Sequence, residues 1–263
     1  MINKLEHKLT QFADDTTVIL DGSSEFLNET LNTLTMFAEF SGLNVNFDKT
    51  KIIWIGKNKY SSQSIKTKWK LSWNQQSFKM LGIEFHVDLN KTVLLNYNDK
   101  LLKMKTILER WKRRFLTPIG KITVIKTLII SLFNHLFIAL PNPPLSMLEE
   151  INKILFEFIW NGKSRVKNNV VTKPYKEGGL KMININAFIS SLKLSWIKKY
   201  ILTNGKWNDI ASLYIDNNKI MKCGKQYSET QIIQIKNQFW RDTLNAYIQL
   251  CNIHTINEND IRH

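Results

Sequence analysis

Leu9-Thr10-Gln11-Phe12-Ala13-Asp14-Asp15-Thr16-Thr17-Val18-Ile19-Leu20 sets two neighbouring carboxylates between two runs rich in β-branched and aromatic residues. Runs of this kind favour strands and aspartates favour turns, so the stretch predicts a β-hairpin turned by the Asp pair. Two carboxylates held at one tip repel each other by on the order of a few kcal/mol at intermediate dielectric, and a divalent cation offsets that cost. Asp14 and Asp15 are therefore candidate ligands for Mg²⁺. Aspartates at turns are also commonly just solvated, so the tetrapeptide Phe12-Ala13-Asp14-Asp15 settles little by itself.

Beyond the hairpin, Ser23-Ser24-Glu25 supplies a helix cap, and Leu27, Leu31, Leu34 and Ala38 recur at helical spacing up to Gly42, a left-handed stop. Leu43 to Asn46 and Thr50 to Ile55 read as short strands around a turn at Phe47-Asp48-Lys49, which predicts a β-β-α-β-β unit. A polar link runs from Lys57 to Lys70, with Ser61, Ser62 and Ser64 marking its loop. Phe78-Lys79-Met80-Leu81-Gly82-Ile83-Glu84-Phe85 predicts a second strand pair, bent at Gly82. From Asn98 the pattern turns helical. Leu101, Leu102, Ile107, Leu108, Trp111 and Phe115 alternate with Lys103, Lys105, Arg110, Lys112, Arg113 and Arg114. Helices are also expected over 122–140, 147–160 and 187–202, and helical patterning returns near 232–250.

The 263 residues suffice for one large domain or two smaller ones, and 43% apolar residues describe a globular protein. A net charge of +15, from 37 Lys plus Arg against 22 Asp plus Glu, favours polyanionic partners. Two cysteines, Cys223 and Cys251, are too few to staple such a chain, and no leader segment is visible, which predicts an intracellular protein, cytoplasmic or nuclear. The apolar run Ile122 to Leu140 is interrupted by Lys126, Asn134 and His135, so it reads as a buried helix and no membrane partner is expected. Cys251 and His254 have a spacing that zinc ligands use, but no second pair stands at a matching interval.

Taken in order, several blocks resemble the reverse transcriptases of non-LTR (LINE-type) retrotransposons over roughly residues 9 to 200. Phe12-Ala13-Asp14-Asp15 resembles the catalytic hairpin, and Ser41-Gly42-Leu43-Asn44-Val45-Asn46-Phe47-Asp48-Lys49-Thr50 the block after it. Phe78-Lys79-Met80-Leu81-Gly82-Ile83 resembles the primer grip. Trp111 to Leu116, Gly120-Lys121, Lys126, Phe133-Asn134, Pro141, Phe158-Ile159-Trp160 and Gly178-Gly179-Leu180 resemble the thumb and the helical region behind it.

The resemblance implies an α+β chain with a partial polymerase palm (β-hairpin, helix, antiparallel strands) over 1–97. A thumb of helices over 98–145 and a carboxyl-terminal helical region over 146–263 follow. It implies Mg²⁺-dependent nucleotidyl transfer copying an RNA template from a DNA primer. Polymerases of this chemistry hold two metal ions about 4 Å apart. Asp14 is then the direct metal ligand and Asp15 its partner. Lys49 becomes a candidate general acid toward pyrophosphate, though a solvated turn lysine fits its position equally. Phe78, Leu81 and Gly82 would hold the primer end, with strand packing as the plain alternative.

Arg110, Lys112, Arg113, Arg114, Lys121 and Lys126 are candidate nucleic-acid contacts. Charge runs on helices are usually solvated faces, but this one is nearly single-signed, with Glu109 its main counter. Only Met1 to Gln11 precede Phe12, and no aspartate lies among them. The family's first metal-binding aspartate, its glycine-containing loop and its fingers are accordingly expected outside this chain. The two-metal site is then incomplete and the chain inactive alone, and the missing amino-terminal half becomes a possible partner. A non-catalytic nucleic-acid-binding module and a decayed element protein are the alternatives. A palm stripped of neighbours is expected to expose strand edges and apolar surface.

Overall fold

Ser23 caps the first helix as its position predicts. In α1 (Ser24–Ser41) the Ser23 hydroxyl accepts the Phe26 N–H at 3.3 Å, and Gly42 ends the helix at φ 73°. The computed structural model that shows this describes residues 8–61, 64–73, 76–163, 166–203 and 205–253. Ser62, Ser164, Arg165 and His254, and most of the segment before Phe12, lie outside the described residues. The chain is α+β and mostly helical, with two antiparallel two-stranded sheets among the described residues. Two compact units divide it between residues 92 and 93.

In the first unit, β1 (Leu9–Phe12) and β2 (Asp15–Val18) form the expected hairpin. Its turn differs from the expected Asp pair: Phe12 pairs with Asp15, so Ala13 and Asp14 make the turn, Ala13 at φ 52°. This register opposes Thr10 to Thr17 and Leu9 to Val18, cross-strand pairs of the kind that stabilise a two-stranded ribbon. The second hairpin, β3 (Ser77–Met80) and β4 (Ile83–His86), turns on Leu81 and Gly82 at φ 49° and 80°. Both central residues are left-handed, as a type I′ turn requires, and leucine is poorly suited to that conformation. Leu81 is exposed and loses little packing when replaced. Leu81→Asn is expected to stabilise this unit by about 1 kcal/mol, read as a higher urea midpoint; a lower midpoint would show that the leucine packs in a way its exposure denies.

The strands expected over 43–46 and 50–55 do not form. Among the described residues these segments find a single bridge: Lys51 pairs with Ser72, and the Ile52 N–H reaches the Ser72 carbonyl at 3.0 Å. A strand exists through its partners, and without them the β-β-α-β-β unit reduces to a hairpin and a helix. Within this unit Leu27, Leu31 and Ile83 are buried, whereas Leu9, Phe12, Met36, Phe37 and Leu43 are exposed and Phe40 is 87% exposed. Among the described residues of this unit, strand edges and apolar surface stand open.

The long helix starts earlier than the pattern predicts: α2 runs Leu89–Lys112, because the Asp88 carboxylate accepts the Asn90 N–H at 3.1 Å and caps it ahead of Asn98. Its Tyr97, Leu101, Met104 and Leu108 are buried in the second unit. The apolar run forms one helix made of α3 (Pro118–Val124), a π-helical stretch Ile125–Ile130, and α4 (Ser131–Ala139). By length and composition it could cross a membrane. Here Ile125, Ile129, Phe133, Leu136 and Phe137 are buried, with α3 packed on α5 (Leu145–Trp160) and α4 on α7 (Ile185–Leu202).

Between α5 and α7 come α6 (Asn168–Thr172) and a single 3₁₀ turn, Tyr175–Glu177, closed by Gly178 at φ 75°. The chain then doubles back, and the Leu180 and Met182 N–H groups both reach the Val171 carbonyl at 3.0 Å. α8 (Lys206–Ala211), α9 (Asn217–Gln234) and α10 (Gln238–Ile253) complete the fold. Ile197, Tyr200, Ile215, Ile220, Trp240 and Leu244 form their shared core.

The proline-rich link Leu140 to Pro144 offers carbonyls but few N–H donors, so side chains supply them. Lys193 of α7, fully buried, donates to the Leu140 carbonyl. Trp196 Nε1 donates to the Ile138 carbonyl at 2.9 Å and the Tyr97 hydroxyl to Pro141 at 3.1 Å. On α10, Asp242 accepts the Asn142 N–H at 2.7 Å and Gln238 Nε2 at 2.8 Å. Burial pushes Lys193 down to about 7, opposed by the negative charge of Asp242, while burial pushes Asp242 upward.

Candidate functional site

Asp14 and Asp15 both stand exposed at the tip of the first hairpin. Asp14 lies in the turn and Asp15 opens β2 opposite Phe12. Among the described residues no group of three or more His, Cys, Asp or Glu could hold a metal ion. Two carboxylates do not make up the donor set of a two-metal centre, so the described residues do not hold such a pair of ions by themselves. Lys49 lies exposed in the turn after Phe47, its backbone N–H held by the Asn46 side chain at 3.1 Å, with no ion pair to either aspartate.

The two hairpins do meet: the Thr17 hydroxyl of β2 lies 3.5 Å from Met80 Sδ of β3. Phe78 is half-buried and stacked on its cross-strand partner Phe85, centroids 5.5 Å apart, so strand packing occupies its ring. Leu81 and Gly82 sit exposed at the turn. Of the three residues assigned to the primer grip, these two are the ones on open surface.

The basic residues separate into two kinds. Arg110, Lys112, Arg113, Arg114 and Lys126 are exposed. Lys121 is not: it is 3% exposed, donates to the Ile159 carbonyl and to Asn161 Oδ1, and so caps the carboxyl end of α5. Burial and then the charge of Lys112 hold its pKa below the ordinary lysine value. The helix pattern shows that 121 lies one turn from Pro118 but carries no sign that α5 ends beside it, so the sequence marks the charge and not its burial.

At the corner between α2 and α3, the guanidinium of Arg114 lies 4.5 Å from the Trp111 ring centroid, which fixes its direction. Trp111 is half-buried and anchors the corner, while Phe115 projects wholly into solvent. Lys112 is paired with Glu109 at 3.1 Å, whereas no carboxylate pairs with Arg110, Arg113 or Arg114 among the described residues. An exposed ring close in sequence to three arginines that pair with no described carboxylate can stack on a base while the cations contact phosphates.

No protein-family model matches the chain. It is similar to a transposon TX1 uncharacterized 149 kDa protein of Xenopus laevis, with 27% identity over 148 residues, which is 55% of this chain. The match spans 11% of that protein's length. The similarity relates the chain to a transposon-borne protein.

Proposed function

We propose that this chain is the palm-and-thumb part of a reverse transcriptase of the non-LTR retrotransposon kind, and that its own share of the work is to hold a template–primer duplex. The α2–α3 corner carries the binding reading: within six residues, 110–115, it places a fully exposed Phe115 and three arginines that pair with no carboxylate among the described residues. The order of motif blocks and the similarity to a transposon protein support the lineage. In that setting Arg110, Arg113 and Arg114 contact the phosphate backbone, Phe115 packs against a terminal base, and Leu81 and Gly82 of the second hairpin meet the primer strand. Asp14 and Asp15 contribute two carboxylates to a Mg²⁺ centre whose remaining donors these residues do not supply, so no nucleotidyl transfer is assigned to the chain acting alone.

A second reading, a nucleic-acid-binding module without chemistry, is favoured by that same two-carboxylate limit. Titration of a labelled RNA–DNA duplex at several salt concentrations tests the shared part. Arg110→Gln, Arg113→Gln and Arg114→Gln together are expected to reduce the salt slope by roughly 2 to 3, at about 0.9 per phosphate contact. An unchanged slope would remove the corner from the interface. Primer extension separates the two readings. The chain alone is expected to give none, and Mg²⁺-dependent extension that appears when a fragment bearing a further metal-binding aspartate is added, and disappears with Asp14→Asn, would select the polymerase.

A further inference from the structure

In the first unit, Asn28 and Asn32 stand one turn apart on α1 and face Lys66, Thr67, Lys68 and Trp69 across an open cleft of about 370 Å³. Trp69 forms its aromatic wall and is held there by stacking on Phe47, ring centroids 6.2 Å apart at 28°. Thr67 Oγ1 donates to the Trp69 carbonyl at 2.8 Å, which fixes the turn of the 66–69 segment. The two amides and the two ammonium groups make no hydrogen bond or ion pair with any described residue, and no described carboxylate lines the cleft. Lys66, Lys68 and Asn32 are exposed, Asn28 and Trp69 half-buried.

An aromatic face, amides that both donate and accept, and cations without counter-charge match the three parts of a nucleotide: π-face, base edge and phosphate. The cleft is open rather than enclosed, which suits a strand passing through it better than a small molecule held inside.

We infer that this cleft binds one nucleotide unit of a single-stranded nucleic acid, its base against Trp69 and facing Asn28 and Asn32, its flanking phosphates on Lys66 and Lys68. The inference extends the nucleic-acid-holding reading to a second place on the molecule and uses none of the α2–α3 corner residues. A strand held here would be the unpaired part of a template rather than the duplex.

The test uses the full chain with a 5-iodouracil-substituted single strand, a duplex of the same sequence, and free uridine monophosphate. Ultraviolet crosslinking followed by peptide mapping is expected to place the adduct on Trp69. Lys66→Gln with Lys68→Gln is expected to weaken single-strand binding about tenfold and to lower its salt slope by about 1.4, at about 0.7 per contact, with duplex binding unchanged. Both lysines are exposed, so the double variant should keep the wild-type melting temperature. Crosslinks confined to residues 110–115 with unchanged single-strand affinity would overturn the cleft and leave the corner standing. Loss of duplex binding in the corner triple variant, with the Trp69 crosslink kept, supports the cleft independently. Equal protection of Trp69 by the free monophosphate at matched nucleotide concentration would overturn the strand assignment.

Discussion

Gly179→Ala is expected to cost roughly 3 kcal/mol or more, a large fraction of the stability of an ordinary domain. A Cβ at this position would stand 2.0 Å from the Lys173 carbonyl oxygen and 2.4 Å from its carbon, so backbone and not a flexible side chain must retreat. Retreat breaks the hydrogen bonds that close the loop, from the Gly179 N–H to the Pro174 carbonyl at 3.0 Å and from the Lys181 N–H to the Lys173 carbonyl at 2.9 Å. Two other glycines calibrate the result. Gly178, at φ 75° with open space around it, should cost about 1 kcal/mol on change to alanine. Gly205, with extended backbone and nothing within 4 Å, should stay within about 0.5 kcal/mol. Urea unfolding of the three variants gives the order directly, and a Gly179→Ala protein as stable as the Gly205→Ala protein would contradict the close approach.

Removing Lys193 is the second large effect. Lys193→Ala leaves the Leu140 carbonyl without its donor, opens a void against Phe239, whose ring centroid lies 4.2 Å from the ammonium, and strips Asp242 of its nearest opposing charge. A loss of roughly 3 kcal/mol is expected near pH 7. The pH dependence is more specific. An unfolded lysine releases its proton near 10.5, whereas buried Lys193 releases it near 7, so between about pH 7 and 10 the unfolded chain holds the extra proton and stability rises with pH. Asp242, shifted upward, works in the opposite sense: its stabilising protonation is lost as pH climbs through its folded value. Tyr97 and Tyr247, also raised by burial, keep their protons in the folded state above pH 10, so stability falls there. Lys193→Met keeps the shape and should flatten the rise between pH 7 and 10 in denaturant titrations; a slope equal to the wild type would assign that rise to another group.

Local signals made much of the fold legible. The first hairpin, the Ser23 and Gly42 ends of α1, the turn at Gly82 and the cores of α5 and α7 follow from turn chemistry, caps and helical spacing, which neighbouring residues determine. The strands expected at 43–46 and 50–55 do not form because extended propensity needs a partner, and among the described residues Ser72 alone offers one. The position of Asp15 in the ladder rather than the turn depends on pairing across the hairpin, which composition does not set.

At the candidate site, exposure of Arg110 could be inferred from the helix pattern, since it falls opposite Leu101 and Leu108, whereas Arg113 and Arg114 are exposed because α2 has already ended at Lys112. Burial of Lys121 could not, because it arises where α5 happens to end, nor could the meeting of Lys193 with a link fifty residues away in sequence. The cleft around Trp69 likewise joins two segments that no motif connects.

Among its described residues the hairpin unit hides three large aliphatic side chains, while Phe40, Phe12 and Leu9 face water. So little burial leaves a small margin over the chain entropy that ordering such a segment costs. Anything that covers those side chains binds the ordered form alone and so raises its population by mass action, and the acidic tip is presented in step with it.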